Sequence, residues 1–217
     1  RINSAGGQAY DCFPFMPPFP GDMEHICGRL EKLCGQPGKK YIYCYWSEPD
    51  TTLHKRGRGT AEARQVLTDC ENLLEKTARK LKNTLLIVTA DHGHINNRVA
   101  LLKKYPGISD CLVRTPSLEP RVLNLFVKPG RESELRERFL DAFGDDFILM
   151  PTEKALEMKL FGTGREHKEF RAMLGDYLAI AASDLSIYFN EERWRSMHGS
   201  LTPDEMTIPF IVYPADQ

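Results

Sequence analysis

Nowhere in the 217 residues do some 18 apolar residues follow one another, so no helix of this chain spans a bilayer. Charge of one sign is not in excess either: 29 basic against 30 acidic residues leave a formal net charge of −1. That balance gives no bulk attraction to a nucleic-acid polymer or to an acidic membrane surface. There is no internal repeat, no low-complexity tract and no C-x-x-C pair. The six cysteines are Cys12, Cys27, Cys34, Cys44, Cys70 and Cys111. Cys44 and Cys70 fall on apolar faces, where a free thiol behaves as a small hydrophobe. Reduced thiols in a cytoplasmic setting are therefore expected, not a disulfide framework. The chain does not open on Met: Arg1 and the segment RINSAGGQAY read as the continuation of a longer protein, whose upstream part is left open.

What is present is ordinary for a soluble globular protein, with 41% hydrophobic and 27% charged residues. The length suits one α/β domain with a small insertion. Residues 1–22, rich in Pro, Gly and aromatics, read as an irregular arm. Met23, Ile26, Cys27, Leu30, Leu33 and Cys34 have helical spacing. The β-branched and aromatic run Lys40–Trp46 predicts a strand. A long helix is expected over 60–82, and the apolar run Leu85–Ala90 reads as a central parallel strand covered on both faces. Strand, helix and strand then make a right-handed βαβ unit. Residues 112–175, with charge-rich helices, read as an inserted α+β cap subdomain. That leaves 23–111 and 176–217 as an α/β core with a mostly parallel sheet. Leu178–Phe189 and Ile208–Tyr213 supply further strands. Thr202-Pro203-Asp204-Glu205 is a helix start, with Thr as cap, Pro first and Glu three residues on.

Three short patterns carry chemistry: Asp50-Thr-Thr-Leu-His54, Asp91-His92-Gly93, and His198-Gly199. The first two directly follow strands, and ligands gather beyond the C-terminal ends of strands in open α/β sheets. Carboxylate oxygen and imidazole nitrogen together form the usual shell of a hydrolytic zinc. A phosphate ester resists a nucleophile because its centre is crowded with negative charge, and two cations about 4 Å apart relieve this. Gly93 and Gly199 would let the backbone pass close to such ions. Each pattern alone has a plainer reading: Asp50 as a turn or cap, His198 as a surface histidine. It is their combination, in this order, that points to metal. His94 either reaches the edge of such a site or, the favoured reading, is a supporting or surface histidine; His25 and His167 read as structural. Arg121 either touches a phosphate or sits in a polar turn. Lys55, Arg56 and Arg58 either attract an anionic substrate or decorate a solvated loop.

The combination resembles the alkaline phosphatase superfamily, and within it the type I phosphodiesterase/nucleotide pyrophosphatase branch. The stretches YWSEPDTTLHKRGRGT (45–60), LLIVTADHGH (85–94) and MHGSLTPDEMTIPFIVY (197–213) carry the likeness. The resemblance implies an alkaline-phosphatase-like three-layer core. It implies that Asp50, His54 and His198 bind one divalent ion while Asp91 and His92 bind a second, zinc or manganese. It also implies hydrolysis of a small phosphate mono- or diester. The family's nucleophilic Thr or Ser, and an Asp ending the first core strand, lie N-terminal to the first motif. Residues 1–38 offer no such unit: Ser4 lies in a Gly-rich arm, Asp11 and Asp22 are read as following no strand, and Thr60 stands on the wrong side. The nucleophile is therefore expected outside this chain, which alone would be inactive. Phosphoryl or phospho-alcohol transfer on the same fold, or a non-catalytic metal-binding fragment, are the alternatives.

Overall fold

The computed structural model describes residues 2–14, 21–190 and 192–215. The middle of the expected arm, residues 15–20, lies outside the described residues. After a short 3-10 turn at Asn3–Ala5 come β1 (Gln8–Cys12), α1 (Met23–Cys34), β2 (Lys40–Cys44), α2 (Asp50–Arg56), α3 (Ala61–Ala78) and β3 (Thr84–Thr89). There follow β4 (Ile95–Asn96), β5 (Arg98–Leu101), α4 (Pro106–Ser109), β6 (Ser117–Glu119), β7 (Val122–Leu125), α5 (Glu132–Phe143) and β8 (Phe147–Pro151). The remainder is α6 (Thr152–Glu157), α7 (Phe170–Met173), β9 (Tyr177–Ala181), β10 (Leu185–Tyr188), β11 (Ser196–Met197), α8 (Pro203–Met206) and β12 (Phe210–Ala215). These elements divide into two compact units, residues 1–90 with 209–217, and residues 91–208.

In the first unit, α1 starts where Asp22 accepts the His25 backbone N–H at 2.8 Å, and α3 where Thr60 accepts that of Ala63 at 3.2 Å. These are side-chain caps for donors that have no partner within the helix. Ile26, Leu30 and Leu33 of α1, spaced three and four apart, are buried against the strands. The expectation that residues 1–22 are irregular is corrected: β1 pairs in parallel with β2, Gln8 opposite Lys40 through Cys12 opposite Cys44. Tyr10 and Cys12 face the apolar cluster that holds Ile26 and Leu33, which gives the segment a reason to be a strand. Asp11 lies inside that strand, so the reading that it follows none is corrected as well. The βαβ pairing is not observed among the described residues: β2 pairs with β1, whereas β3 pairs antiparallel with β12. Nor is β3 covered on both faces, since Leu85 is 61% and Ile87 50% exposed within a strict alternation. An apolar run alone cannot tell a strand buried on both faces from one buried on one.

The second unit is built on a four-stranded antiparallel sheet, β6-β7-β9-β8. Leu123 and Leu125 of β7, Leu135, Phe139 and Phe143 of α5, and Phe147 of β8 are the centre of its core. The expected cap boundary at 175 cuts through this sheet, because Leu123 pairs with Ala179 across β7 and β9. The unit also begins earlier and ends later than 112–175. Charge on the exposed sides of the helices set that boundary, while the strands beneath them are apolar and continue across it. Two short ladders complete the unit: β5 parallel with β10, and β4 antiparallel with β11. Parallel pairing is thus confined, among the described residues, to two small ladders, and the α/β protein carries several small sheets instead of one mostly parallel one.

Candidate metal centre

In the first unit, Asp50 opens α2 and His54 stands one turn later. That spacing puts both on one helix face, and Asp50 Oδ1 lies 3.3 Å from His54 Nε2. Lys55, Arg56 and Arg58, just beyond, are exposed. His25 and His167 make local bonds only in the contacts described, with Asp22 and with the Glu169 backbone N–H.

In the second unit three histidines come together. The His92 and His198 rings stack, with centroids 3.5 Å apart and planes 13° from parallel. His94 lies with its ring centroid 5.2 Å from each. One donor nitrogen from each of the three lies within 4.8 Å of the others. The β4–β11 ladder explains the meeting. It sets Met197 opposite Ile95, and continuing that register by one residue sets His198 opposite His94. His94, whose favoured sequence reading is a supporting or surface histidine, is buried within the group, its Nδ1 3.0 Å from Ser196 Oγ. Nothing local marks it, because the bond joins residues 102 apart in sequence. His92 Nδ1 lies 3.0 Å from the carbonyl oxygen of Gly93. A carbonyl only accepts, so Nδ1 donates, and in the neutral ring Nε2 keeps its lone pair for a ligand. Asp91 is largely exposed, its Oδ1 3.6 Å from His92 Nε2.

Gly93 is there for space. A Cβ at this position would lie 2.1 Å from the Asp204 carbonyl oxygen, and the Gly93 N–H donates to the Glu205 carbonyl at 2.7 Å. The sequence expectation tied this glycine to nearby ions, whereas the crowding comes from the start of α8. Gly199 differs: its φ of +113° is a conformation that side chains resist. Beneath both glycines lies a buried ion pair. Arg121 does stand in the turn before β7, but its side chain is fully buried instead of facing a phosphate or solvent, and it grips Glu205 with Nε at 2.8 Å and Nη2 at 2.7 Å. Burial alone would raise the Glu205 carboxyl; hydrogen bonds from Arg121, Thr202 and the Ser200 N–H outweigh it and hold it below the usual carboxylate range.

Residues 23–171 match the sequence profile of the type I phosphodiesterase/nucleotide pyrophosphatase family. The chain belongs to that family. The matched span contains both Asp-His motifs and most of the charge-rich middle block, and ends before His198. No curated protein matches the chain. Among solved structures, murine ectonucleotide pyrophosphatase/phosphodiesterase 5, an inactive form in complex with AMP, superposes with a TM-score of 0.73 at 18% identity, covering 98% of this chain and 62% of that one. The human counterpart gives 0.73 at 18% identity, with 97% and 61% covered. Phosphonoacetate hydrolase from Sinorhizobium meliloti, in complex with phosphonoacetate, gives 0.68 at 13% identity, with 97% and 66% covered. At these identities the likeness establishes a shared fold. The chain thus spans about 62% of the length of the first of these relatives. Among the described residues no helix is long and apolar enough to cross a membrane.

Proposed function

We propose that this chain is the metal-holding portion of a phosphoric ester hydrolase acting on a small phosphate mono- or diester by a two-metal mechanism. The observation that carries the reading is the convergence of His92, His94 and His198 in a member of a phosphodiesterase family. The donor set fits a divalent ion of the borderline class, zinc first and manganese second. Such ions would supply neutralisation of the charge that accumulates on a phosphoryl group and its leaving oxygen.

The chain's own part is to present donors. His92 offers Nε2 because its Nδ1–H is held by the Gly93 carbonyl. His198 lies face to face with it. Asp91 offers a carboxylate beside His92, and Asp50 and His54 offer a carboxylate and an imidazole from one helix face. We assign Asp50, His54 and His198 to one ion and Asp91 and His92 to the other, with His94 added as a donor. The attacking hydroxyl comes from residues outside this sequence.

The test is metal stoichiometry and turnover of the purified chain. Equilibrium dialysis against zinc should give one well-held ion. His198→Ala should abolish it, and Asp50→Asn should weaken it. An aryl phosphate and its diester should be hydrolysed at no more than about a thousandth of the rate of an intact hydrolase of this family, as expected when a nucleophile is missing. Zinc binding indifferent to His92 and His198, or robust turnover by these 217 residues, would refute the reading.

A further inference from the structure

Glu205 makes more contacts than a helix-start residue needs. Its carboxylate accepts two hydrogen bonds from Arg121, one from the Thr202 hydroxyl and one from the Ser200 backbone N–H at 3.0 Å. Its main-chain carbonyl accepts the Gly93 N–H at 2.7 Å. Ser200 stands two residues after His198, and Gly93 stands between His92 and His94. A single residue therefore ties down both backbone segments that bring the three histidines together. Arg121 in turn fixes Glu205. It enters from the turn before β7, is wholly buried, and spends its remaining nitrogen on the Leu185 carbonyl at 2.9 Å.

We infer that Arg121 and Glu205 form a positioning pair that holds the His92–His94 and His198 segments at ligand spacing, an inference that rests on the proposal that these histidines bind a cation. A buried ion pair kept only for core stability would be a poor choice, because well-packed apolar residues of similar volume usually serve as well or better. What an apolar residue at 205 lacks is an acceptor for the Ser200 N–H. Holding the donors is also what groups outside the metal shell do elsewhere, and their loss typically weakens metal binding by about 10- to 100-fold.

Two double variants separate positioning from packing. Arg121→Met with Glu205→Gln removes both charges and keeps an oxygen for the Ser200 N–H. Arg121→Met with Glu205→Leu removes both charges and the oxygen; Met at 205 serves in place of Leu should that protein not fold. Cobalt(II) is the probe, its visible absorption reporting nitrogen ligation, alongside thermal unfolding of the metal-free chains. The Gln variant should keep cobalt affinity within about threefold of the wild type and the Leu variant should lose about tenfold or more, with the two melting alike. Equal affinity in the two variants, or losses that merely follow melting temperature, would overturn the inference. If the wild type takes up no cobalt, the metal reading fails, and the pair is judged by ring-to-ring nuclear Overhauser contact between His92 and His198 and by Ser200 amide exchange. Loss of both in the Leu variant alone supports positioning; their survival there refutes it.

Discussion

Gly93→Ala is the smallest change that tests how the histidine group is held, and its cost can be worked from the coordinates. The φ of Gly93 is not positive, so alanine meets no backbone penalty and the effect is steric alone. The new Cβ would sit 2.1 Å from the Asp204 carbonyl oxygen and 3.1 Å from that of Thr207. An ordinary carbon-to-oxygen approach is about 3.4 Å, so one segment must retreat by about 1.3 Å. The same retreat stretches the Gly93 N–H to Glu205 bond, now 2.7 Å, to about 4 Å, beyond hydrogen-bonding range. Losing that bond costs about 1 kcal/mol if water replaces it, and about 1–3 kcal/mol for each group left dry. Overpacking adds about 1–3 kcal/mol. The sum is about 2–4 kcal/mol after relaxation, which for a chain of this size lowers the melting temperature by roughly 5–15 °C.

Thermal unfolding by circular dichroism reads the stability term, and cobalt(II) titration of the same protein reads the site. Because the glycine lies between His92 and His94, the alanine variant should lose metal affinity even at a temperature where it is fully folded. A variant melting within about 2 °C of the wild type would refute the claim that the approach of α8 to Gly93 is obligatory.

Three further outcomes follow from the same reasoning. Gly28 lies on the exposed face of α1 with nothing within 4 Å of a would-be Cβ, so Gly28→Ala should stabilise the chain by about 0.5–1 kcal/mol in urea unfolding. Phe139 is fully buried against Phe143 and Phe147, so Phe139→Ala should cost about 3–5 kcal/mol, visible as a lower urea midpoint at unchanged slope. The carboxyls of Asp146, held by the Ser183 hydroxyl and by Arg98, and of Glu205 are both lowered. The unfolded chain therefore binds more protons than the folded one once pH drops below the ordinary values of 3.8 and 4.5. The contribution of these two carboxyls should be complete above about pH 5 and be lost below it, with a shallower acid limb in the Arg121→Met, Glu205→Leu variant; a curve with no acid limb would contradict these carboxylate partners.

Helices were legible where they carry apolar residues three and four apart, as the match of Met23–Cys34 to α1 illustrates. The start of α8 was legible because its signals, Thr202, Pro203 and Glu205, lie within four residues. What escaped reading depends on partners far along the chain. His94 acquires a place beside His198 only through a two-residue ladder. Arg121 is read as a turn residue until Glu205, 84 positions away, is set against it. The middle block differs for the opposite reason: its composition is local, whereas its sheet takes β9 from beyond residue 175. β1 was hidden because glycine and proline surround five residues whose support, pairing with β2 and packing against α1, comes from farther along the chain.

Glu205 belongs to both classes, and the two readings give different numbers for one substitution. As the third residue of α8 it accepts locally from the Thr202 hydroxyl and the Ser200 N–H, while Thr202 makes no side-chain cap bond of its own. Losing such a local hydrogen bond usually costs about 0.5–1.5 kcal/mol. As the only described carboxylate on Arg121, which is 0% exposed, it neutralises a buried cation. Removing one member of such a pair usually costs about 3–5 kcal/mol, since the other charge is left in the interior without a counter-ion. Glu205→Gln keeps the size and one accepting oxygen, and replaces the charge and the second oxygen by an NH2 group. The structure therefore predicts a loss near 3–5 kcal/mol, most of it recovered when Arg121→Met is added, because the methionine needs no counter-charge. Urea unfolding of the two single variants and the double variant closes the cycle. A Glu205→Gln loss under about 2 kcal/mol, or no recovery in the double variant, would mean that Arg121 finds another partner and that the local hydrogen bonds, not the ion pair, are what Glu205 supplies.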